Sequence, residues 1–336
     1  MTKRIGDTLF FDVPPAISGF AAVGGKKEGE GPLAADFDFL VRDTTFGRPT
    51  WEQAESRLQQ LCVTKALDKC GVPPQEIDLV LAGDLQNQCT ASNYTLRELG
   101  LPFAGLYSAC ATMAESLGLA ACLVQAGLAR RALALTSSHF CAAERQFRFP
   151  LEYGGKRTPT SQWTATAAGA AIVEPGAAPP FVKAVTLGRV TDCGVADINN
   201  MGAAMAPAAA RTLLAFFADS GKTPRDFDRI YTGDLGAVGS ALLCELCGRA
   251  GLPLASKHED CGLLLFARGA QQVGAGGSGA GCSAAVLCGR ILPALARGEL
   301  GEVLFVATGA LMSPTTVLQK ESIPGIAHLT ALSGRR

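Results

Sequence analysis

Residues 71–85, GVPPQEIDLVLAGDL, return as residues 221–235, GKTPRDFDRIYTGDL, at a constant offset of 150. Gly71/Gly221, Pro74/Pro224, Asp78/Asp228, Gly83/Gly233, Asp84/Asp234 and Leu85/Leu235 are identical. Glu76/Asp226, Ile77/Phe227 and Val80/Ile230 are similar. A gapless match of this kind points to two copies of one supersecondary unit. Each copy reads as a loop, a short apolar strand and a Gly-Asp turn. Upstream of the first, Ala54, Leu58, Leu61, Cys62 and Ala66 recur at helical spacing; Ala208, Leu213, Leu214 and Phe217 play that role in the second. Gly100-Leu101-Pro102 also returns as Gly251-Leu252-Pro253. Helix, Gly turn and buried strand follow one another in both QAGLARRALALTSSH (125–139) and LARGELGEVLFVATGA (295–310). The expected architecture is therefore two duplicated α/β halves, 1–181 and 182–336, divided near the Pro/Gly/Ala stretch Glu174–Pro180.

Composition narrows the function classes. With 48% hydrophobic and 18% charged residues over 336 positions, the chain has enough apolar surface for a large core. Thirty basic and thirty acidic residues cancel, which argues against a nucleic-acid binder held by a broad basic face. Met1-Thr2-Lys3-Arg4-Ile5-Gly6-Asp7 is followed by no apolar signal-peptide core, so the twelve cysteines are expected reduced, as small buried hydrophobes. The uncharged stretch Gly269–Gly289 is too rich in glycine for a membrane span, and any membrane association is expected to be peripheral. Cys244-Glu245-Leu246-Cys247 lacks a second pair at metal-site spacing and reads as part of an amphipathic helix. The Gly274–Gly281 cluster lacks the Lys-Ser/Thr of a phosphate loop and is expected to let a helix start close against the other half.

Cys110 stands out by position. It lies between the apolar segment Phe103–Leu106 and an Ala-rich helical stretch, Met113–Ala126. Orphan N–H groups and the dipole at a helix start favour a thiolate, or an anionic ligand beside it. Spacing alone leaves a buried, inert cysteine equally open.

A duplicated α/β chain with Ser108-Ala109-Cys110-Ala111 at a helix start resembles the thiolase-like superfamily. Within it, the chain resembles the stage V sporulation protein AD family of spore-forming bacteria, from about Asp12 to about His328. In the first half the resemblance is carried by Gly83-Asp84-Leu85-Gln86-Asn87-Gln88, Thr136-Ser137-Ser138-His139, Ala143-Glu144-Arg145-Gln146-Phe147-Arg148 and Glu152-Tyr153-Gly154-Gly155. In the second it is carried by the stretch Met201–Ala209, His258-Glu259-Asp260-Cys261-Gly262 and Lys320-Glu321-Ser322-Ile323-Pro324. The fold implied is thiolase-like: two pseudo-duplicated α/β halves packed as a five-layer αβαβα sandwich.

The same resemblance sets an expectation about chemistry. Condensing enzymes of this superfamily pair the cysteine with a His and a second His or an Asn. Here the strand Asp228–Thr232 leads to Gly233-Asp234 without a His, and the turn Gly276-Gly277-Ser278-Gly279 has no Asn. No catalytic residue or cofactor is therefore expected. The family implies binding of dipicolinic acid (pyridine-2,6-dicarboxylate), alone or as a calcium chelate, its uptake into the forespore and its release in germination. It also implies a homodimer, and a cytoplasmic protein peripheral on the forespore membrane beside membrane proteins of the same operon. The candidate ligand-binding residues are Asp84, Cys110, His139, Arg145, Asp234, Lys257, His258 and Asp260, with Arg148 near them. Each has a plainer reading: Arg145 and Arg148 as solvated charges or partners of Glu144 and Glu152, and the two Gly-Asp turns as Asp bonding its own loop. The alternatives are a ketoacyl-synthase III-like acyltransferase using Cys110, and a scaffold with a vestigial pocket.

Overall fold

The computed structural model describes residues 2–147, 157–254 and 256–335. The first half runs β1 (Lys3–Ile5), β2 (Thr8–Phe10), β3 (Ala16–Gly24), β4 (Phe39–Leu40), α1 (Trp51–Cys70), β5 (Leu79–Gly83), α2 (Thr90–Leu99), β6 (Phe103–Gly105), α3 (Thr112–Gln125), β7 (Ala132–Ser138), α4 (Phe140–Phe147), β8 (Trp163–Thr164) and β9 (Ala167–Glu174). The second runs β10 (Phe181–Thr186), α5 (Met201–Ser220), β11 (Arg229–Thr232), α6 (Gly236–Arg249), β12 (His258–Asp260), α7 (Cys261–Leu265), α8 (Arg268–Gln271) and β13 (Gly277–Ser278). It ends with α9 (Ala280–Val286), continued through a π turn into α10 (Leu292–Ala296), then β14 (Glu302–Ala310), α11 (Pro314–Leu318) and β15 (Gly325–Ser333).

The repeated residues have repeated structural jobs. Gly71 and Gly221 end the twenty-residue helices α1 and α5 in the left-handed conformation, at φ 67° and 65°. Pro74 and Pro224 open matching 3-10 turns. Asp78 accepts the N–H groups of Arg130 and Arg131 at 2.6 and 3.0 Å, just before β7. Asp228 accepts those of Gly301 and Glu302 at 2.6 and 3.1 Å, just before β14. Each aspartate thereby pins the start of the neighbouring parallel strand.

The strands follow one order twice, β6-β5-β7-β9-β3 and β12-β11-β14-β15-β10. The first three strands of each series are parallel and the last two antiparallel. The two series join through one register pair, Phe181 with Ala16. Helix α1 covers β3, β7 and β9 from outside, and α5 covers β14 and β15. Between the sheets lie α3, which touches β5, β7 and β9 on one side and β10, β14 and β15 on the other, and α9. The result is a five-layer αβαβα sandwich.

Small residues make that middle layer possible. A Cβ on Gly118 of α3 would lie 2.8 Å from Val185, and one on Gly281 of α9 only 2.0 Å from the carbonyl oxygen of Ala167. Gly279, at φ 103°, brings the same helix start to within reach of Ser138. The glycine cluster thus seats α9 against the first half, as its composition suggested. Helix α5 is long and apolar enough to cross a membrane, but 61% of its most apolar window is buried inside the fold. Its Ala, Leu and Phe side chains build the second half's core.

Candidate functional site

Cys110 sits in a 3-10 turn, Ala109–Ala111, that runs directly into α3. Ala109 takes φ 50°, a left-handed conformation that costs a residue with a Cβ energy and re-aims the turn. Strand β14 passes close behind it: a Cβ on Gly309 would lie 2.6 Å from the carbonyl oxygen of Ser108 and 3.1 Å from the nitrogen of Ala111. The turn is thus clamped between the halves, and Cys110 is 6% exposed.

The thiol lines a half-open cavity of about 240 Å³. Leu85, Phe147, Met201, Ala310, Leu311 and Met312 form its apolar wall. Tyr107, Glu144, Thr164, Ser278 and Ser313 bring polar groups to it. Glu144 is buried and held by Arg157 Nη2 at 2.9 Å and by Thr164 Oγ1 at 2.9 Å. Among the described residues, no Lys or Arg side chain lines the cavity.

Asp234 lies close to Cys110, near enough for its charge to act on the thiol. Its Oδ2 accepts Ser278 Oγ at 3.1 Å and the N–H of Gly279 at 3.0 Å, and its Oδ1 accepts Thr308 Oγ1 at 2.9 Å. Its carbonyl accepts Gln162 Nε2 at 2.5 Å. Burial pushes its carboxyl up to about 6, against hydrogen bonds that lower it. Burial first, and then the charge of Asp234, push the Cys110 thiol well above its ordinary range. The helix start does not outweigh these effects, so Cys110 is a protonated thiol at neutral pH.

Of the eight residues singled out from the sequence, Cys110 lines the cavity and Asp234 lies behind the lining, bonded to the lining residue Ser278. The other six are held elsewhere. Asp84 is fully buried and faces its own half: it accepts Gln86 N at 2.9 Å, Ser92 N at 2.8 Å and Ser92 Oγ at 2.7 Å. The two repeat aspartates are thus not an equivalent pair around one pocket. Asp84 closes its loop, whereas Asp234 reaches across to β13 and β14. His139 has Nε2 2.8 Å from the Thr44 carbonyl and Nδ1 3.4 Å from the Ala142 N–H, and borders a separate cavity with Lys27 and Trp163. Burial lowers its pKa. Arg145 pairs with Glu52 and lies 5.6 Å from the Trp51 ring centre.

Lys257 precedes β12, at the start of the parallel strands beside Asp228, while the cavity lies at their far ends. His258 Nε2 is 2.8 Å from Thr232 Oγ1, its Nδ1 is 3.8 Å from Cys244 Sγ, and burial drives its pKa down to about 4. Asp260 is buried and accepts Thr232 Oγ1, Leu235 N, Gly236 N and Leu263 N at 2.7, 2.8, 3.0 and 3.2 Å. It caps α7 and secures the turn that carries Asp234. Arg148 and the stretch Glu152–Gly155 lie outside the described residues.

Sequence reasoning passed over Glu144, Ser278, Thr308 and Arg157 as site residues. Glu144 appeared within a family motif and as a candidate partner of Arg145, and Ser278 within the glycine cluster and in a turn lacking Asn. Nothing in the spacing marks Thr308, whose role depends on β14 passing beside β11. A second buried polar group was also missed. Glu55 accepts Ser137 Oγ and Gln86 Nε2, both at 2.7 Å, and burial followed by the charge of Asp84 pushes it up to about 8. Its signal was an acidic residue on the otherwise buried face of α1.

Residues 6–333 match the family model for Stage V sporulation protein AD (SpoVAD). The chain is 44% identical over 321 residues to Stage V sporulation protein AD of Bacillus subtilis (strain 168), covering 96% of this chain and 95% of that protein. It is similar in fold to 3-oxoacyl-[acyl-carrier-protein] synthase III from Aquifex aeolicus VF5, at a TM-score of 0.58, 12% identity and coverage of 95% and 99%. It is also similar to Xanthomonas campestris OleA, at a TM-score of 0.62, 13% identity and coverage of 96% and 98%. At those identities the likeness is one of fold. The chain, with its thiolase-like architecture, belongs to the stage V sporulation protein AD family.

Proposed function

We propose that this sporulation protein binds dipicolinic acid in the Cys110 cavity without turning it over, and so supports its uptake into the forespore. The observation that carries the non-catalytic reading is the pairing of Cys110 with Asp234. A condensing enzyme needs an ionised thiol and a neutral or cationic partner that stabilises an oxyanion. Here the thiol is buried, burial and the nearby Asp234 carboxyl push its pKa well above the ordinary range, and that carboxyl is the wrong charge for an oxyanion partner. The histidines do not line the cavity: His139 and His258 are engaged as described, and His328 accepts the Gly188 N–H at 3.1 Å.

The cavity is smaller than the roughly 300–1,000 Å³ typical of drug-sized ligands. Its apolar walls with a few hydroxyls suit one planar ring carrying polar groups. The identity of the ring as pyridine-2,6-dicarboxylate, with or without calcium, comes from the family. So do the homodimer, the peripheral site on the forespore membrane and the neighbouring membrane proteins of the same operon.

Isothermal titration with dipicolinate, with and without calcium and with benzoate as control, tests the reading. Saturable binding of dipicolinate but not benzoate, surviving in part in Cys110→Ser, is expected. No heat and no thermal shift in either condition would refute it. Acylation of Cys110 by an acyl-CoA would instead favour the acyltransferase.

A further inference from the structure

The proposed ligand is an acid, yet the cavity is built around acids. Glu144 faces it, held by Arg157 and Thr164, and Asp234, outside the lining, accepts the hydroxyl of the lining residue Ser278 at 3.1 Å. A second negative charge beside an ionised, fully buried Asp234 would meet strong repulsion at low effective dielectric. Among the described residues, the groups packed against Asp234 do not relieve it. The turn before α3 contributes the Cys110 thiol, β13 contributes Ser278 and the Gly279 N–H, and β14 contributes Thr308. The titratable neighbours from the remaining elements are Asp260, Cys261 and Cys282, all acidic when they ionise.

The same contacts accept a neutral Asp234 readily. Oδ2 keeps its two donors, Ser278 and Gly279. Oδ1 faces a hydroxyl, Thr308 Oγ1, which can reverse from donor to acceptor.

We infer that Asp234 takes up a proton from bulk water when the cavity binds a carboxylate ligand, so that this residue sets the charge form in which the ligand is held. The inference rests on the proposed function for the ligand class. Burial brings the Asp234 carboxyl up to about 6, and a nearby carboxylate raises it further. The sign follows: above pH 6 the empty protein has lost this proton, and binding must recover it at increasing cost.

The test is titration with dipicolinate between pH 6 and pH 8.5, in buffers of different ionisation enthalpy. Affinity is expected to fall towards tenfold per pH unit above pH 6, with about one proton taken up per ligand. Asp234→Asn, a fixed neutral isostere, is expected to show a flat profile and to bind at least about tenfold more tightly than wild type at pH 8. A flat wild-type profile, or an unchanged slope in Asp234→Asn, overturns the inference while leaving dipicolinate binding intact. No binding at any pH overturns both. If Asp234→Asn does not fold, infrared difference spectra of the wild type at pH 7.5 decide instead. A protonated-carboxyl band gained on dipicolinate binding and kept in Glu144→Gln supports the inference; its absence in the wild type, or its loss in Glu144→Gln, overturns it.

Discussion

Asp260→Ala separates a supporting residue from a ligand-binding one. In the structure the carboxylate is 2% exposed and accepts four hydrogen bonds, two of them from the backbone of the Asp234 turn, Leu235 and Gly236. Alanine leaves those two buried N–H groups unpaired, at about 1–3 kcal/mol each, and removes the α7 cap, worth about 1 kcal/mol. Relief of the buried carboxyl offsets part of this, since burial raises its pKa and so opposes its ionised form. The expected net loss is about 3–5 kcal/mol. At about 2 cal/mol/K per residue, a chain of this length unfolds with an entropy of about 0.7 kcal/mol/K, so the loss corresponds to a Tm about 4–7 °C lower. Differential scanning calorimetry at pH 7 reads it directly. Asp260→Asn, which keeps one acceptor oxygen, should fall between alanine and wild type. A Tm within about 1 °C of wild type together with abolished dipicolinate binding would refute the argument, because Asp260 would then act on the ligand and not on the fold.

Two further substitutions probe the site's boundaries. Arg145→Ala breaks a partly exposed ion pair with Glu52; it should cost about 0–1 kcal/mol and leave dipicolinate affinity within about twofold, checked by denaturant unfolding and titration calorimetry. Gly309→Ala places a Cβ against the backbone of the Cys110 turn; a loss of about 1–3 kcal/mol and weaker ligand binding are expected, and an unchanged Tm would contradict the close approach of β14.

The repeat determined most of the architecture by itself. Gly71/Gly221, Pro74/Pro224 and Asp78/Asp228 act within or just beyond their own unit, ending a helix, opening a turn and pinning the next parallel strand. The Gly and Pro roles depend on local φ/ψ; the Asp bonds span 52 and 73 residues but stay within one half, so the duplication repeats them in the sequence. Cys110 at a strand-to-helix turn was legible for the same reason. Asp84 and Asp234 were not separable that way, because both occupy the same place after equivalent strands. Asp84 finds donors in its own half, at Gln86 and Ser92. Asp234 finds them at Ser278, Gly279 and Thr308, and meets Cys110 from the other half. Arg145, Lys257 and His258 lie close in sequence to site elements, yet Arg145 is drawn to Glu52, His258 to Thr232, and Lys257 sits at the opposite end of its strand. A side chain's partner depends on which strands and helices pack beside it in three dimensions, within a half or across the two, and one-dimensional spacing does not encode that. The sequence alone therefore determined the duplicated fold and its cysteine turn; tertiary packing decided that the cysteine would be a buried, protonated thiol facing a carboxyl group.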